Sequence, residues 1–409
     1  MGTAFIIFII LGFLLLAQSA SSLRSGFRFL AYVRRCRARE IGDYAPRVAV
    51  IIPVTGAGAE FESNLSAFLR QDYPSYQLVL VVADEKDPAF GMLSALLEKS
   101  AGHGSPARPD ASLLVAGPSQ SQGQKVHNLV HGLDAIKPGT EVLVFADADA
   151  RPGAAWLRSL VAPLESLNVT VSTGFRWYLP GKTFVSQLRA AWDTSIATFM
   201  GEHDCAFPWG GSMAIRTEDF NRLQVRERYW ASTVSDDYGL GRAVHDGGGR
   251  IRFEPRCLVA SHGDSPFGQF LRWTNRQIII TRVYAPRLWR MGLAGHALYS
   301  LAFVWGFFVL LDPATGWERF AALVLLALIL GLGMCKGKIR GTVAREIFPE
   351  ERELLGRYGK RYWQLTMVVP WVMMWNFVVA GFVRTIEWSG VRYRLHSDHE
   401  VEILGRKPH

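Results

Sequence analysis

The stretch Val142-Leu-Val-Phe-Ala-Asp147-Ala-Asp149 runs five apolar residues straight into two carboxylates one residue apart. A short, continuous apolar run of this kind reads as a strand buried on both faces. Val48-Ala-Val-Ile-Ile-Pro53 and Leu78-Val-Leu-Val-Val-Ala83 read the same way, and Leu113-Leu-Val-Ala116 supplies a fourth strand. Between them, Phe61 to Gln71, Asp87 to Leu97 and Val126 to Ile136 read as helices. Strands alternating with helices predict an α/β fold with a mainly parallel sheet, from Arg47 to about Phe253. Ligands of such sheets bind beyond the carboxyl ends of the strands, so the residues just after each strand are the candidates for chemistry.

Asp84-Glu-Lys-Asp87-Pro comes after the second strand, and Asp147-Ala-Asp149 after the fourth. A lone Asp-x-Asp is common in loops. At the end of a buried strand, however, the pair suits Mg²⁺ or Mn²⁺, hard cations that take oxygen ligands and are completed by substrate phosphates. Ser235-Asp236-Asp237-Tyr238 stands ahead of a predicted helix. Its acids either favour the helix dipole or include a general base for an attacking hydroxyl. Gln269-Phe-Leu-Arg272-Trp273 offers a surface cation–π pair, or a guanidinium that grips a diphosphate beside an indole that lines a pocket. Lys125, in Gly123-Gln-Lys-Val-His-Asn128, is either a phosphate contact or a solvated lysine. Trp209-Gly-Gly-Ser212 is an ordinary turn or one that lets the backbone approach a ligand closely.

Of the 409 residues, 49% are hydrophobic and 20% charged, a mixture that suggests membrane segments attached to a soluble domain. The net charge of +9 is compatible with nucleic acid, but no nucleic-acid module is visible. Met1 to Leu23 carries no charged side chain, and Arg24, Arg28, Arg34, Arg35, Arg37 and Arg39 come directly after it. That order predicts a retained anchor with the next domain in the cytoplasm, because a cleaved signal peptide places its basic residues first. Gly292 to Leu311, Phe320 to Cys335 and Tyr362 to Val383 are three further candidate spans, the last kinked at Pro370. Three C-terminal spans would leave the tail outside, and a re-entrant third segment would leave it inside. Cys36, Cys205, Cys257 and Cys335 have no metal spacing and read as reduced thiols. The expected organisation is an anchor over 1–23, a basic linker over 24–45 and the α/β domain over 46–275. An interfacial helix over 276–291, a membrane region over 292–388 and a polar tail over 389–409 complete it.

Asp84 or Asp87, Asp147-x-Asp149, Asp237 and Gln269-x-x-Arg272-Trp273 stand in one order along the chain. This order resembles the inverting family-2-type glycosyltransferases, whose signature is D, DxD, a later D and (Q/R)xxRW. Gln71-Asp-Tyr-Pro74, Val81-Val-Ala-Asp-Glu-Lys-Asp-Pro-Ala89, Asp236-Asp-Tyr238 and Trp388-Ser-Gly-Val-Arg-Tyr-Arg-Leu395 resemble ceramide glucosyltransferases in particular. The bacterial hopanoid-associated glycosyltransferases are a near alternative. Position 236 departs from the pattern, since the family usually has Glu there. The doubled Asp that many relatives carry in the first motif is also absent.

The resemblance implies a GT-A nucleotide-sugar domain. It places Asp84 or Asp87 at the nucleoside, Asp147 and Asp149 at metal and diphosphate, and Asp237 as the base next to Asp236. Gln269, Arg272 and Trp273 would close over donor and acceptor, with Lys125 assisting at the phosphates. The expected activity is glucose transfer from UDP-glucose to a lipid hydroxyl such as that of ceramide, dependent on Mg²⁺ or Mn²⁺. UDP-N-acetylglucosamine with a hopanoid, processive polysaccharide synthesis and an inactive lipid-binding scaffold are the competing readings. The lipid acceptor rests on the hydrophobic ends rather than on the acids.

Overall fold

The computed structural model describes residues 2–58, 60–101, 109–202, 207–311 and 316–406. It divides into two compact units. The first comprises Arg34–Arg176, Met200–Ser261 and Arg384–His409. Its centre is a sheet of β1 (Val48–Pro53), β2 (Tyr76–Val82), β3 (Asp110–Val115), β4 (Val142–Ala146), β5 (Val171–Tyr178), β6 (Ser212–Arg216) and β7 (Ile251–Ser261). The strand order is β3-β2-β1-β4-β6-β5-β7. The four strands β3, β2, β1 and β4 are parallel. β6 runs antiparallel to β4, and β5 antiparallel to β6. The sheet is therefore parallel on one flank and antiparallel on the other. Periodicity predicts β1 and β4 to the residue and leaves β5, β6 and β7 without a prediction.

Every residue of β2 and β4 is buried, as the continuous apolar runs require. On one face, Val50, Ile52, Leu80 and Val144 join a core with Phe68 and Trp156. Because the parallel strands end on one side, Asp84 and Asp147 emerge at the same edge of the sheet. Ala146 pairs with Ser212, which brings the Trp209–Gly211 turn beside the start of the Asp147 loop.

Residues 389–406, the described part of the polar tail expected over 389–409, instead continue a small antiparallel sheet. Its strands are β8 (Thr385–Trp388), β9 (Val391–Ser397) and β10 (Glu400–Arg406), in order β10-β9-β8. Val391, Tyr393 and Leu395 are buried while the residues between them are exposed, the period of a half-buried strand. Ser389 and Gly390 both have positive φ, 49° and 76°, as a type I′ hairpin turn demands. The membrane region expected over 292–388 therefore overlaps this sheet from Thr385 to Trp388.

The second unit comprises Met1–Val33, Trp177–Phe199 and His262–Val383. Among the described residues, three helices are long and apolar enough to cross a membrane: Thr3–Ala38, Pro286–Leu311 and Gly316–Ile347. The pair Arg361–Met367 and Val369–Phe382 bends by 58°, a broken span or a re-entrant loop. The helices pack through small residues. A methyl on Gly12 would collide with Leu325, and one on Gly306 would lie 2.8 Å from Phe8. Phe5, Phe8, Leu15, Ala302, Val309, Leu325 and Ile329 form the seam. Phe13, Phe307, Phe308 and Phe320 are exposed, as residues that face lipid would be.

Two expected boundaries are corrected. The basic linker over 24–45 is helical as far as Ala38, because arginine is a good helix former and its charge marks a change of solvent rather than a helix end. The interfacial helix over 276–291 is split. One helix, Phe267–Tyr284, stops at Ala285, and a new one starts at Pro286, whose missing N–H is tolerated in a first turn. Cys36, Cys257 and Cys335 form no disulfide among the described residues, and Cys205 lies outside them.

Candidate active site

Lys125 is the second residue of the helix Gln124–Leu133, and its ammonium lies between two carboxylates. Nζ is 2.8 Å from Asp147 Oδ1 and 2.9 Å from Asp236 Oδ2. Burial works against the lysine's charge, but Asp147, Asp236 and Asp237 outweigh it, and its pKa is raised. Lys125 is therefore paired with two carboxylates rather than freely solvated.

Arg176 occupies the other side of Asp147. This guanidinium, on β5, reaches Asp149 with both terminal nitrogens, at 2.5 and 2.9 Å, and stands 3.5 Å from Asp147 Oδ2. It also lies over the Trp209 ring, 5.2 Å from its centroid. Desolvation acts in the opposite direction, yet Arg176 holds the Asp149 carboxyl below its ordinary range. Sequence reading passes over Arg176. Its only local signal is a charged residue inside an otherwise uncharged strand, Val171–Tyr178.

The second acid pair begins the helix Asp236–Asp246, capped by Ser235. Asp236 is buried, and its carboxyl is pushed up to about 7 by that burial and by Asp237 and Asp147, with Lys125 opposing the shift. Asp237 is half-buried. Its Oδ1 accepts from the Ser235 hydroxyl and, at 2.8 Å, from the Tyr238 amide. The Trp209–Gly211 turn is no ordinary one either. A methyl on Gly210 would collide with Asp236 Oδ2 and fall 2.7 Å from Lys125 Nζ, so only glycine lets the turn lie against that pair.

Asp84 and Asp87 part company. Asp84 is exposed at the end of β2, and its Oδ1 accepts from the Lys86 amide. Asp87 is buried and accepts from Thr55 Oγ1, Gly56 N and Ala89 N, which fastens the loop after β1. Gln269, Arg272 and Trp273 belong to the other unit, on the helix Phe267–Tyr284. There Gln269 and Arg272 are exposed. Trp273 stands edge-on to Tyr178 and Trp192, with ring centroids 5.5 and 5.2 Å away, and under the Arg189 guanidinium. The Trp192 indole in turn donates to Asn376 Oδ1 at 3.1 Å.

Among the described residues, no three His, Cys, Asp or Glu side chains cluster as a complete metal cage. The Asp147 and Asp149 carboxylates nonetheless converge on one cation, the Arg176 guanidinium. A pair of hard oxygen donors sharing a positive charge fits a divalent ion whose remaining ligands come from a diphosphate and water.

The description of glycosyl transferase family 21 matches residues 9–401. A ceramide glucosyltransferase of Komagataella phaffii is 35% identical over 52 residues, which is 13% of this chain and 10% of that relative's length. Among solved structures, the mannosyltransferase PcManGT from Pyrobaculum calidifontis, in complex with GDP-Man and Mn²⁺, covers 91% of this chain and 97% of its own. It is 17% identical, with a TM-score of 0.47. The glucosyl-3-phosphoglycerate synthase from Mycobacterium tuberculosis is 16% identical over 62% of this chain and 82% of its own, at a TM-score of 0.39.

Proposed function

Because the chain belongs to glycosyl transferase family 21, we propose that it transfers a sugar, glucose first among candidates, from a UDP-sugar to the hydroxyl of a membrane lipid such as ceramide, inverting the anomeric centre. The observation that carries this reading is the convergence of the Asp147 and Asp149 carboxylates on one cation, flanked by a second, largely shielded cation at Lys125. Such an array recognises a diphosphate and neutralises it as it leaves.

Asp147 and Asp149 would hold Mg²⁺ or Mn²⁺, which supplies Lewis-acid charge to the leaving diphosphate when bound. Lys125, held within 2.9 Å of both Asp147 and Asp236, adds fixed positive charge without reorganisation. Asp237 takes the proton of the acceptor hydroxyl. Its Oδ1 is occupied by Ser235 and Tyr238, so Oδ2 is the oxygen for that proton. Asp84, exposed where β2 ends, contacts the nucleoside, and Asp87 serves it by fastening the loop after β1. Gln269, Arg272 and Trp273 contact substrate, as the motif they match implies.

The lipid acceptor is supported by the apolar helices carried on the same chain. The arginines that come after the first span favour a cytoplasmic site and anionic headgroups. The test is incubation of purified protein with a panel of UDP-sugars and a total lipid extract, reading product masses. A glycolipid one hexose heavier than its acceptor, formed by wild type and reduced about 10²–10⁴-fold in Asp237→Asn, is the expected result. Full activity in Asp237→Asn removes the base, and sugar chains that grow without lipid remove the lipid acceptor.

A further inference from the structure

The small C-terminal sheet lies in the same unit as the acids and carries none of the Asp residues or the Gln-x-x-Arg-Trp residues assigned to the chemistry. We propose that it is a positioning element of the active site, in which Tyr393 and Arg406 set the place of Lys125 and Asp398 sets the helix of Asp236. This rests on the reading of Lys125 as the fixed cation of sugar transfer.

The first amides of a helix have no acceptor within the helix. In the helix Gln124–Leu133, the Gln124 amide donates to the Tyr393 hydroxyl at 3.0 Å. Tyr393 is only 2% exposed, so this bond forms out of water. Arg406 holds the same residue from the neighbouring strand: Nη1 donates to Gln124 Oε1 at 2.7 Å, and Nη2 donates to the Ser119 carbonyl at 2.5 Å. The Gln124 side-chain amide then donates to the Gly117 carbonyl at 2.9 Å and to Asn128 Oδ1 at 2.8 Å. From the opposite side, Gly123 N donates to the Thr233 carbonyl at 2.8 Å, and a methyl on Gly123 would meet Val234 Cα at 2.8 Å. The residue before Lys125 is thus gripped between the loop that leads to Asp236 and the C-terminal sheet.

The grip has a second arm. Asp398, in the turn between β9 and β10, forms an ion pair with Arg242 on the helix Asp236–Asp246. One sheet therefore fastens both helices whose first turns meet in the Lys125–Asp236 pair. Small misplacements of a catalytic charge lower the rate steeply, while ground-state binding tolerates them better.

The test uses the full-length protein with Tyr393→Phe, Arg406→Ala and Arg406→Lys, each alone and on a Lys125→Gln background. Amide exchange at Gln124 reports the brace without any reference to sugar transfer. Exchange there should quicken in Tyr393→Phe, with kcat falling about tenfold and the donor KM held within about twofold. Arg406→Lys should recover more of kcat than Arg406→Ala. On the Lys125→Gln background, Tyr393→Phe should cost nothing further, since the group it positions is gone. A Tyr393→Phe loss that persists in full on that background, or a wild-type kcat alongside a loosened Gln124 amide, overturns the proposal. Should Tyr393→Phe fail to fold, the Arg406 pair decides by the same criteria. A wild-type protein with no transfer to any acceptor overturns the proposed function instead, while the exchange measurement still reports on the brace.

Discussion

The loop after β4 and the first turn of the helix at Asp236 each present two carboxylates, but they hold them in opposite ways. Asp149, with two thirds of its side chain exposed, is neutralised by the Arg176 guanidinium, which reaches it from another strand. Asp236, with 1% exposed, is locked to Lys125, which is 15% exposed. The first pair can exchange its cation without unfolding anything. The second cannot lose its cation without leaving the buried Asp236 carboxyl short of its partner. The contrast separates a pair built to bind a ligand from a pair built to hold charge in place, although the residue type is the same.

The sharpest way to break this contrast is to neutralise one acid from each pair. Asp149→Asn should lower transfer by about 10²–10³-fold, since it removes a charge that serves the diphosphate. Its apparent Tm should stay near wild type. Lys125→Met should act on folding, at a cost of about 3–5 kcal/mol, by leaving Asp236 buried without its partner. Thermal unfolding in detergent measures it. The double variant Lys125→Met/Asp236→Leu should recover much of that stability and none of the activity. A wild-type Tm for Lys125→Met, or a large Tm loss for Asp149→Asn, would erase the distinction.

The pH dependence sharpens it further. The Asp236 carboxyl sits at about 7 in the folded protein, against an ordinary value of 3.8. Between those values the folded state holds a proton that the unfolded state gives up. The contribution of Asp236 is therefore full below about pH 4 and falls away as the pH climbs to about 7, a loss on the order of a few kcal/mol. Asp236→Asn should remove that slope. Asp149 is shifted the other way, so its contribution is present above its ordinary value and is lost on acidification. Unfolding titrations between pH 4 and 8 should therefore show the slope lost in Asp236→Asn and kept in Asp149→Asn, whose own effect lies below about pH 4.

The legible and illegible parts of the molecule divide along the same physical line. β1 and β4 can be read to the residue because strands buried on both faces leave a continuous apolar run. The acids can be read because they come directly after such runs. Arg176 is not legible, because its meaning comes from a pairing 27 residues away that no local pattern encodes. β6 is hidden because Ser212-Met-Ala-Ile-Arg216 borrows its burial from β4 and β5 and shows little periodicity of its own. The alternation Val391-Arg-Tyr-Arg-Leu395 is a visible strand signal, yet it says nothing of Gln124, the residue that Tyr393 holds. Charge after Leu23 marks where the solvent changes, while helix propensity runs on to Ala38. The roles of Asp84 and Asp87 separate only when the loop after β1 is seen to hang on Asp87.

The finest test of the contrast is Arg176, because its loss should improve one property while it harms another. Its guanidinium holds the Asp147 and Asp149 oxygens that a divalent ion would take. Entry of that ion has to break charge-assisted hydrogen bonds, each worth about 1.5–3 kcal/mol. The Trp209 ring already faces the guanidinium at 5.2 Å, so that contact does not offset the bonds lost on displacement. Breaking those bonds is a cost of metal entry that Arg176→Ala abolishes. Mn²⁺ should then bind about tenfold more tightly, a gain of about 1.4 kcal/mol, read from the free-ion signal in electron paramagnetic resonance. The same variant should release UDP more readily, because the diphosphate loses a cation that remains beside it after the exchange. The two effects have opposite signs only if Arg176 moves from acid to phosphate. Unchanged Mn²⁺ affinity would mean that the guanidinium and the metal do not compete, and that the Asp147–Asp149 pair is as fixed as the pair at Lys125.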